Sequence, residues 1–198
     1  MSSAKTLLKF EALLKKYNSV YRDLASIHTD KTPDNDIEHS YRVAMLCWMI
    51  INEYELKLDA NKVIRYALIH DLPEVYAGDI SIYVAYSQKD KEKREARAIK
   101  KLEGQFPKQS PIWKDLNEYE KRKDKESKFV YLVEKLEPIL LVLLSEPEHW
   151  IKRKINFEAF IENKQRKIKD IDTIAQFLNK DLMKYLGKKK AIFYRPKK

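Results

Sequence analysis

The apolar positions of this chain recur at helical spacing along most of its length. Leu7, Leu8, Phe10, Leu13, Leu14 and Tyr17 form a stripe that predicts an amphipathic helix over residues 4–18. A polar loop through Thr32-Pro33-Asp34-Asn35 precedes a second helix over about 36–56, with Asp36 as its N-cap and Glu38 in its first turn. Apolar residues surround that helix almost completely, which predicts a core element. Asp59 caps a third helix over 59–70, with Val63, Ile64, Ala67 and Leu68 facing inward. Pro73 suits the first turn of a short helix through Tyr76, and Gly78 suits its C-terminal turn. Residues 79–87 alternate loosely, but a lone strand has nothing to pair with, so they read as loop. Helix resumes over 88–106 on the stripe Ala96, Ile99, Leu102 and Phe106, and Pro107 and Pro111 mark a linker. From Trp113 to about Ser145 helix dominates, with a bend at Pro138. A last helix over about 156–186 carries Phe157, Phe160, Ile161, Ile168, Ile171, Ile174, Leu178, Leu182 and Tyr185. The pattern predicts one all-α domain, a compact bundle of about six or seven helices.

Composition narrows this picture. The 198 residues suit one domain with a real core, occupying about 1–186 and followed by a frayed basic tail at 187–198. Only three glycines occur, and no glycine-rich phosphate loop is present, which argues against P-loop and dinucleotide-binding folds. The one cysteine, Cys47, precludes an internal disulfide and sits in an apolar run, as a buried inert thiol would. No apolar run reaches the roughly 20 residues that span a bilayer, and no signal segment opens the chain. A cytoplasmic protein without a membrane partner is expected. The net charge of +10 would attract nucleic acid, or steer small phosphorylated anions into a cleft. For most of the lysines a solvated helix surface is the better reading.

The candidate chemistry centres on residues 70–79, His-Asp-Leu-Pro-Glu-Val-Tyr-Ala-Gly-Asp. His39 lies 31 residues before His70, and Glu134 falls in the most apolar run of the chain. His28 and His149 lack acidic clusters of their own and read as structural. His39, His70, Asp71 and Glu134 instead sit in apolar surroundings, where ionisable groups are costly unless paired or bound to metal. Two imidazoles with neighbouring carboxylates form the ligand set of a divalent cation with hydrolytic work to do. Spacing alone leaves both a metal site and a set of paired structural ions open.

The blocks Glu38-His39-Ser40-Tyr41-Arg42-Val43-Ala44-Met45-Leu46 and His70 to Ile80, with the helix Lys89–Leu102, resemble the HD-domain metal-dependent phosphohydrolases. The closer likeness is to their small single-domain 5′-deoxynucleotidase branch, and it runs from about Val20 to Leu144. The resemblance implies an all-helical HD domain with its core at about 20–145. It implies a homodimer and a nucleotide substrate that loses its 5′-phosphate. It also implies one divalent ion, whether Mn, Co, Mg, Zn or Fe, on His39, His70 and Asp71. The family's fourth ligand is an aspartate; here Phe129-Val130-Tyr131-Leu132-Val133 leads to Glu134 instead, whose extra methylene moves the carboxylate. Glu74 and Asp79 match the catalytic carboxylates of the family. Near the N-terminus Ser19-Val20-Tyr21-Arg22 keeps the family's substrate-contacting arginine but lacks its tryptophan, so base or sugar recognition differs.

A mechanism follows from the chemistry of these groups. A divalent ion there would polarise the phosphate and acidify water. Glu74, three residues beyond Asp71, can orient or deprotonate that water. Asp79 can protonate the leaving 5′-oxygen or hold the sugar hydroxyl, and Arg22 can clamp the phosphate through its planar fork. For Arg22 a surface role is an equal reading. Two other functions compete: an HD hydrolase of deoxynucleoside triphosphates or another small phosphate ester, and a non-catalytic basic protein that binds nucleic acid. The assembly of five ionisable groups at 39, 70, 71, 74 and 79 argues against the latter, since a scaffold has no use for them.

Overall fold

A computed structural model describes residues 4–22, 34–78, 88–106, 110–144 and 173–188, with the isolated positions 151, 154, 156–158, 162, 193 and 194. The helices with described bounds are α1 (Ala4–Tyr17), α2 (Asp36–Glu53), α3 (Ala60–Ile69), α4 (Glu74–Ala77), α5 (Gln88–Glu103), α6 (Pro111–Lys121), α7 (Lys125–Leu144) and α8 (Thr173–Lys188). The fourth is a single turn, and the bundle is all-α as the periodicity predicts. The expected loop at 79–87, the residue Asp79 and positions 159–161 and 163–172 of the expected helix over 156–186 lie outside the described residues.

The centre is a three-helix layer in which α2, α3 and α7 pack on one another. Val43, Cys47, Ile50 and Ile51 of α2 meet Val63, Tyr66 and Ala67 of α3 and Phe129, Val130 and Val133 of α7. A second cluster lies beneath it, where Leu13 and Tyr17 of α1 meet Leu72, Leu102, Trp113 and Leu116. The turn holding His70 and Asp71 joins the two clusters.

Several local expectations shift. Asn35, not Asp36, caps α2: its side chain accepts from the Glu38 N–H while the Glu38 carboxylate accepts from the Asn35 N–H. Asp36 is thereby released inward and is fully buried. The long helical run from Trp113 breaks in two. Arg122 adopts a left-handed backbone with φ 47°, and Asp124 then caps α7 by accepting from the Ser127 N–H at 2.8 Å. Neither glycine nor proline marks that break. Beyond it, α7 continues through Pro138, which lacks the N–H that would bond the Glu134 carbonyl within the helix.

On α3 the inward face is Val63, Tyr66, Ala67 and His70, and Leu68 is exposed, because the helical repeat of 3.6 turns position 68 away from it. On α5, Ala98 is buried and Ala96 is exposed for the same reason. Nor is α2 buried all round: Tyr41, Met45, Trp48 and Met49 lie on an exposed face. In the C-terminal tail Phe193 is buried and packs edge-on against Phe157 at 5.4 Å, so this part of 187–198 is held in place. Among the described residues, no helix is long and apolar enough to cross a membrane.

Candidate metal centre

His39 is set by the capping box of α2. The box fixes the first turn, and position 39 then points at α7 and at the end of α3. His70 is the last residue of the inward α3 face, and Asp71 follows as the chain leaves the helix. Bonds from the N–H groups of Leu72, Glu74, Val75 and Tyr76 to carbonyls three residues earlier carry the backbone through this turn, with the Glu74 N–H donating to the Asp71 carbonyl at 2.8 Å. Gly78, at φ 74°, ends this turn by donating its N–H to the Glu74 carbonyl.

Both imidazoles are locked through the same ring atom. His70 Nδ1 donates to the Ala67 carbonyl at 2.8 Å. His39 Nδ1 donates to Glu137 Oε2 at 3.1 Å. Each ring is thereby left with Nε2 as its lone-pair nitrogen, and the two Nε2 atoms face one oxygen: Asp71 Oδ2 lies 3.6 Å from His39 and 3.2 Å from His70. His70 Nε2 is buried and makes no hydrogen bond, while Glu134 Oε2 approaches it to 3.2 Å. With the rings neutral, lone pairs converging on carboxylate oxygens repel; a proton on His70 relieves this in the metal-free protein, and a metal cation would relieve it in the proton's place. The donor set therefore fits a divalent ion, with the other nitrogen of each ring oriented by an acceptor as metal-binding histidines generally are. The ligand atoms of His39, His70 and Asp71 lie within 4.8 Å of one another.

Glu134 reaches the site as the longer side chain allows. Its Oε2 also accepts from the Tyr119 hydroxyl at 3.0 Å, and its Oε1 pairs with Lys135. Arg22 stands on the other side. Its Nη1 donates to Asp71 Oδ2 at 3.2 Å and lies 3.7 Å from Asp36. What brings it there is a short antiparallel bridge between Tyr21 and Asn35, where the Arg22 N–H donates to the Asp34 carbonyl at 2.8 Å. Glu74 is buried, and its carboxylate lies within 4.8 Å of those of Asp36 and Asp71.

The charges are strongly perturbed. Burial opposes ionisation of Asp71, but His70, His39 and Arg22 outweigh it and hold the carboxyl well below its usual range. Burial likewise works against Glu134, yet Lys135 and His70 hold it near 2. For His70, Asp71 and Glu134 overcome burial and raise the imidazole to about 9. His39 moves the other way, lowered by burial and then by Arg22. The pocket thus presents dense negative charge to whatever cation it holds. Cys47 plays no part, since burial and then Glu134 push its thiol up.

Of the residues expected from sequence, the structure gathers His39, His70, Asp71, Glu134, Glu74 and Arg22. It adds groups that sequence reading passed over. Tyr17 and Ser40 share a buried 2.7 Å hydrogen bond beside the site, and Asp36, Tyr119, Arg42 and Glu137 complete the polar lining. The signal for Glu137 was present, as a second carboxylate one turn after Glu134 in the same apolar run.

Comparison with known proteins follows the same line. Residues 14–175 match the family described as HD domain. The chain is 30% identical over 139 residues to the 5′-deoxynucleotidase HDDC2 of Bos taurus, covering 69% of this chain and 66% of that one. It is 28% identical over 170 residues to the HDDC2 of Xenopus laevis, covering 85% and 82%. The chain thus spans about two thirds of the length of the bovine relative. The fold resembles a crystal structure named as a predicted metal-dependent phosphohydrolase from Magnetospirillum magnetotacticum MS-1, with TM-score 0.77, 22% identity and coverage of 98% and 100%. An HD-domain phosphohydrolase from Listeria innocua shares the fold at TM-score 0.61 and 17% identity, covering 92% of this chain and 86% of that one.

Proposed function

The chain belongs to the HD-domain family, and we propose that it is a divalent-metal-dependent phosphohydrolase that removes the 5′-phosphate of deoxynucleoside monophosphates. One arrangement carries this reading: two histidines fixed through Nδ1, with both Nε2 atoms aimed at Asp71 Oδ2. The similarity to 5′-deoxynucleotidases supports the choice of substrate. His39, His70 and Asp71 would hold the ion, with Glu134 in the place of the family's aspartate. The ion, when bound, supplies positive charge against the phosphate and acidity to water.

The protein's own groups do the rest. Glu74, one turn beyond Asp71, takes a proton from the attacking water. Arg22, anchored by Asp71 and Asp36, presents its planar guanidinium to the phosphate oxygens. Asp79, assigned from the resemblance alone, protonates the leaving 5′-oxygen or holds the sugar hydroxyl. Tyr17 stays neutral, because burial and then Asp71 hold its hydroxyl well above the ordinary range, so it can donate but not act as a base.

The decisive experiment is phosphate release from nucleoside mono-, di- and triphosphates with Mn²⁺, Co²⁺, Mg²⁺ and Zn²⁺ in turn. Turnover of deoxynucleoside monophosphates, lost on chelation, is expected. Release from triphosphates alone would replace the monophosphatase reading, and nucleic-acid binding without release would remove it. The protein works in the cytoplasm as a homodimer, and the exposed face of Tyr41, Met45, Trp48 and Met49 supports the second copy. Light scattering at the mass of one chain across the micromolar range would discard the dimer.

A further inference from the structure

Glu137 is almost fully buried on α7, in a run where a leucine would pack without any electrostatic cost. Both of its oxygens are engaged. Oε2 accepts from His39 Nδ1 at 3.1 Å, and Oε1 accepts from Arg42 Nε at 2.7 Å. Arg42 in turn donates through Nη2 to Asp34, at the base of α2. The Arg42 charge is therefore divided between two carboxylates, and Glu137 keeps negative charge to set against the back of the His39 ring. Burial and Arg42's hydrogen bond restrict where that carboxylate can sit, so the ring plane and tautomer of His39 are set by it. His70 has only the neutral Ala67 carbonyl behind it, so the two imidazoles are unequal partners for a cation.

We infer that Glu137, held by Arg42 and Asp34, is a positioning residue for the metal centre: it fixes His39 with Nε2 toward the ion and makes that nitrogen a stronger donor than it would be without the carboxylate. The inference rests on the metal reading above. Its test uses Co²⁺ alone, titrated into the metal-free full chain in competition with a chromophoric chelator, with thermal unfolding of the same samples measured alongside. Glu137→Gln should weaken Co²⁺ binding about 10–100-fold, the usual cost of losing a partner behind a metal-binding histidine. One amide oxygen cannot serve both His39 and Arg42. A purely structural carboxylate would instead lower the unfolding temperature and leave Co²⁺ affinity within about twofold of wild type, which would overturn the proposal. If Glu137→Gln does not fold, Glu137→Asp decides by the same titration. It keeps the charge opposite Arg42 but draws the carboxylate back from His39, so weaker binding supports the inference and unchanged binding overturns it. Wild-type protein that binds no Co²⁺ would defeat the metal reading itself, a failure distinct from that of Glu137.

Discussion

The first turns of α2 bury Asp36, His39 and Ser40, whereas its later turns bury Val43, Ala44, Cys47, Ile50 and Ile51. The two halves lie on one helix and pack against the same neighbours, α3 and α7. Apolar burial in the later half is favourable in itself, at roughly 25 cal/mol per Å² removed from water. In the first half burial is unfavourable unless each charge finds a partner. Those partners all come from elsewhere in the chain: Arg22 before α2, Asp71 after α3, and Glu137 on α7. A stretch that must import its stabilisation from three separate elements is an expensive way to build a core. It makes sense where the charges have a chemical task.

If this division of labour is right, perturbing the two halves should move different observables. The largest effect is expected at Glu74. Glu74→Ala should lower kcat by roughly 10²–10⁴-fold while keeping bound metal, whereas Asp71→Ala should lose metal as well. Metal content and kcat measured together on both variants separate the roles. Wild-type kcat in Glu74→Ala would remove it as the base, and metal loss equal to that of Asp71→Ala would make it a ligand.

A smaller effect concerns acid. In the metal-free protein Glu137 is held at about 2, because its hydrogen bonds and charge contacts with His39 and Arg42 overcome the burial that opposes ionisation. A carboxyl whose folded pKa lies below its unfolded value stabilises the fold above the unfolded pKa. That contribution is lost as the pH falls from about 4.5 toward about 2. Every tenfold difference in proton affinity between the folded and unfolded chain is worth about 1.4 kcal/mol, so the loss amounts to at most about 3.5 kcal/mol. Urea unfolding of wild type and Glu137→Gln across this range should show a steeper acid limb in wild type. Parallel limbs would mean that the contacts of Glu137 with His39 and Arg42 contribute nothing to it.

The smallest effect belongs to the apolar half. Ile50→Val removes one buried methylene from the α2–α3–α7 core and should cost about 0.5–1.5 kcal/mol of stability. Co²⁺ affinity should stay at its wild-type value. A shift in affinity there would show that the two halves are coupled, and the comparison would fail.

The pattern of apolar positions was enough to determine the all-α class and to place most of the described helices within a few residues, because side-chain burial at a repeat of 3.6 is a local property. It also singled out His39, His70, Asp71 and Glu134, since ionisable groups in apolar runs are conspicuous wherever they occur, while Glu74 stood out through its spacing to Asp71 and the family resemblance. Sequence could not say which apolar positions turn outward. Tyr41, Met45, Trp48 and Met49 look like core on α2, and only the placement of α3 and α7 leaves them exposed. Nor could it find the break at Arg122, a left-handed residue without glycine whose guanidinium lies 4.0 Å from the centre of the Tyr131 ring of α7. Above all, the partners of the site came from tertiary structure. Arg22 reaches Asp71 across 49 residues of sequence, and His39 reaches Glu137 across 98. Contacts at such separations leave no periodic trace. They exist because the folded backbone brings complementary charges to hydrogen-bonding distance in a place from which water has been removed.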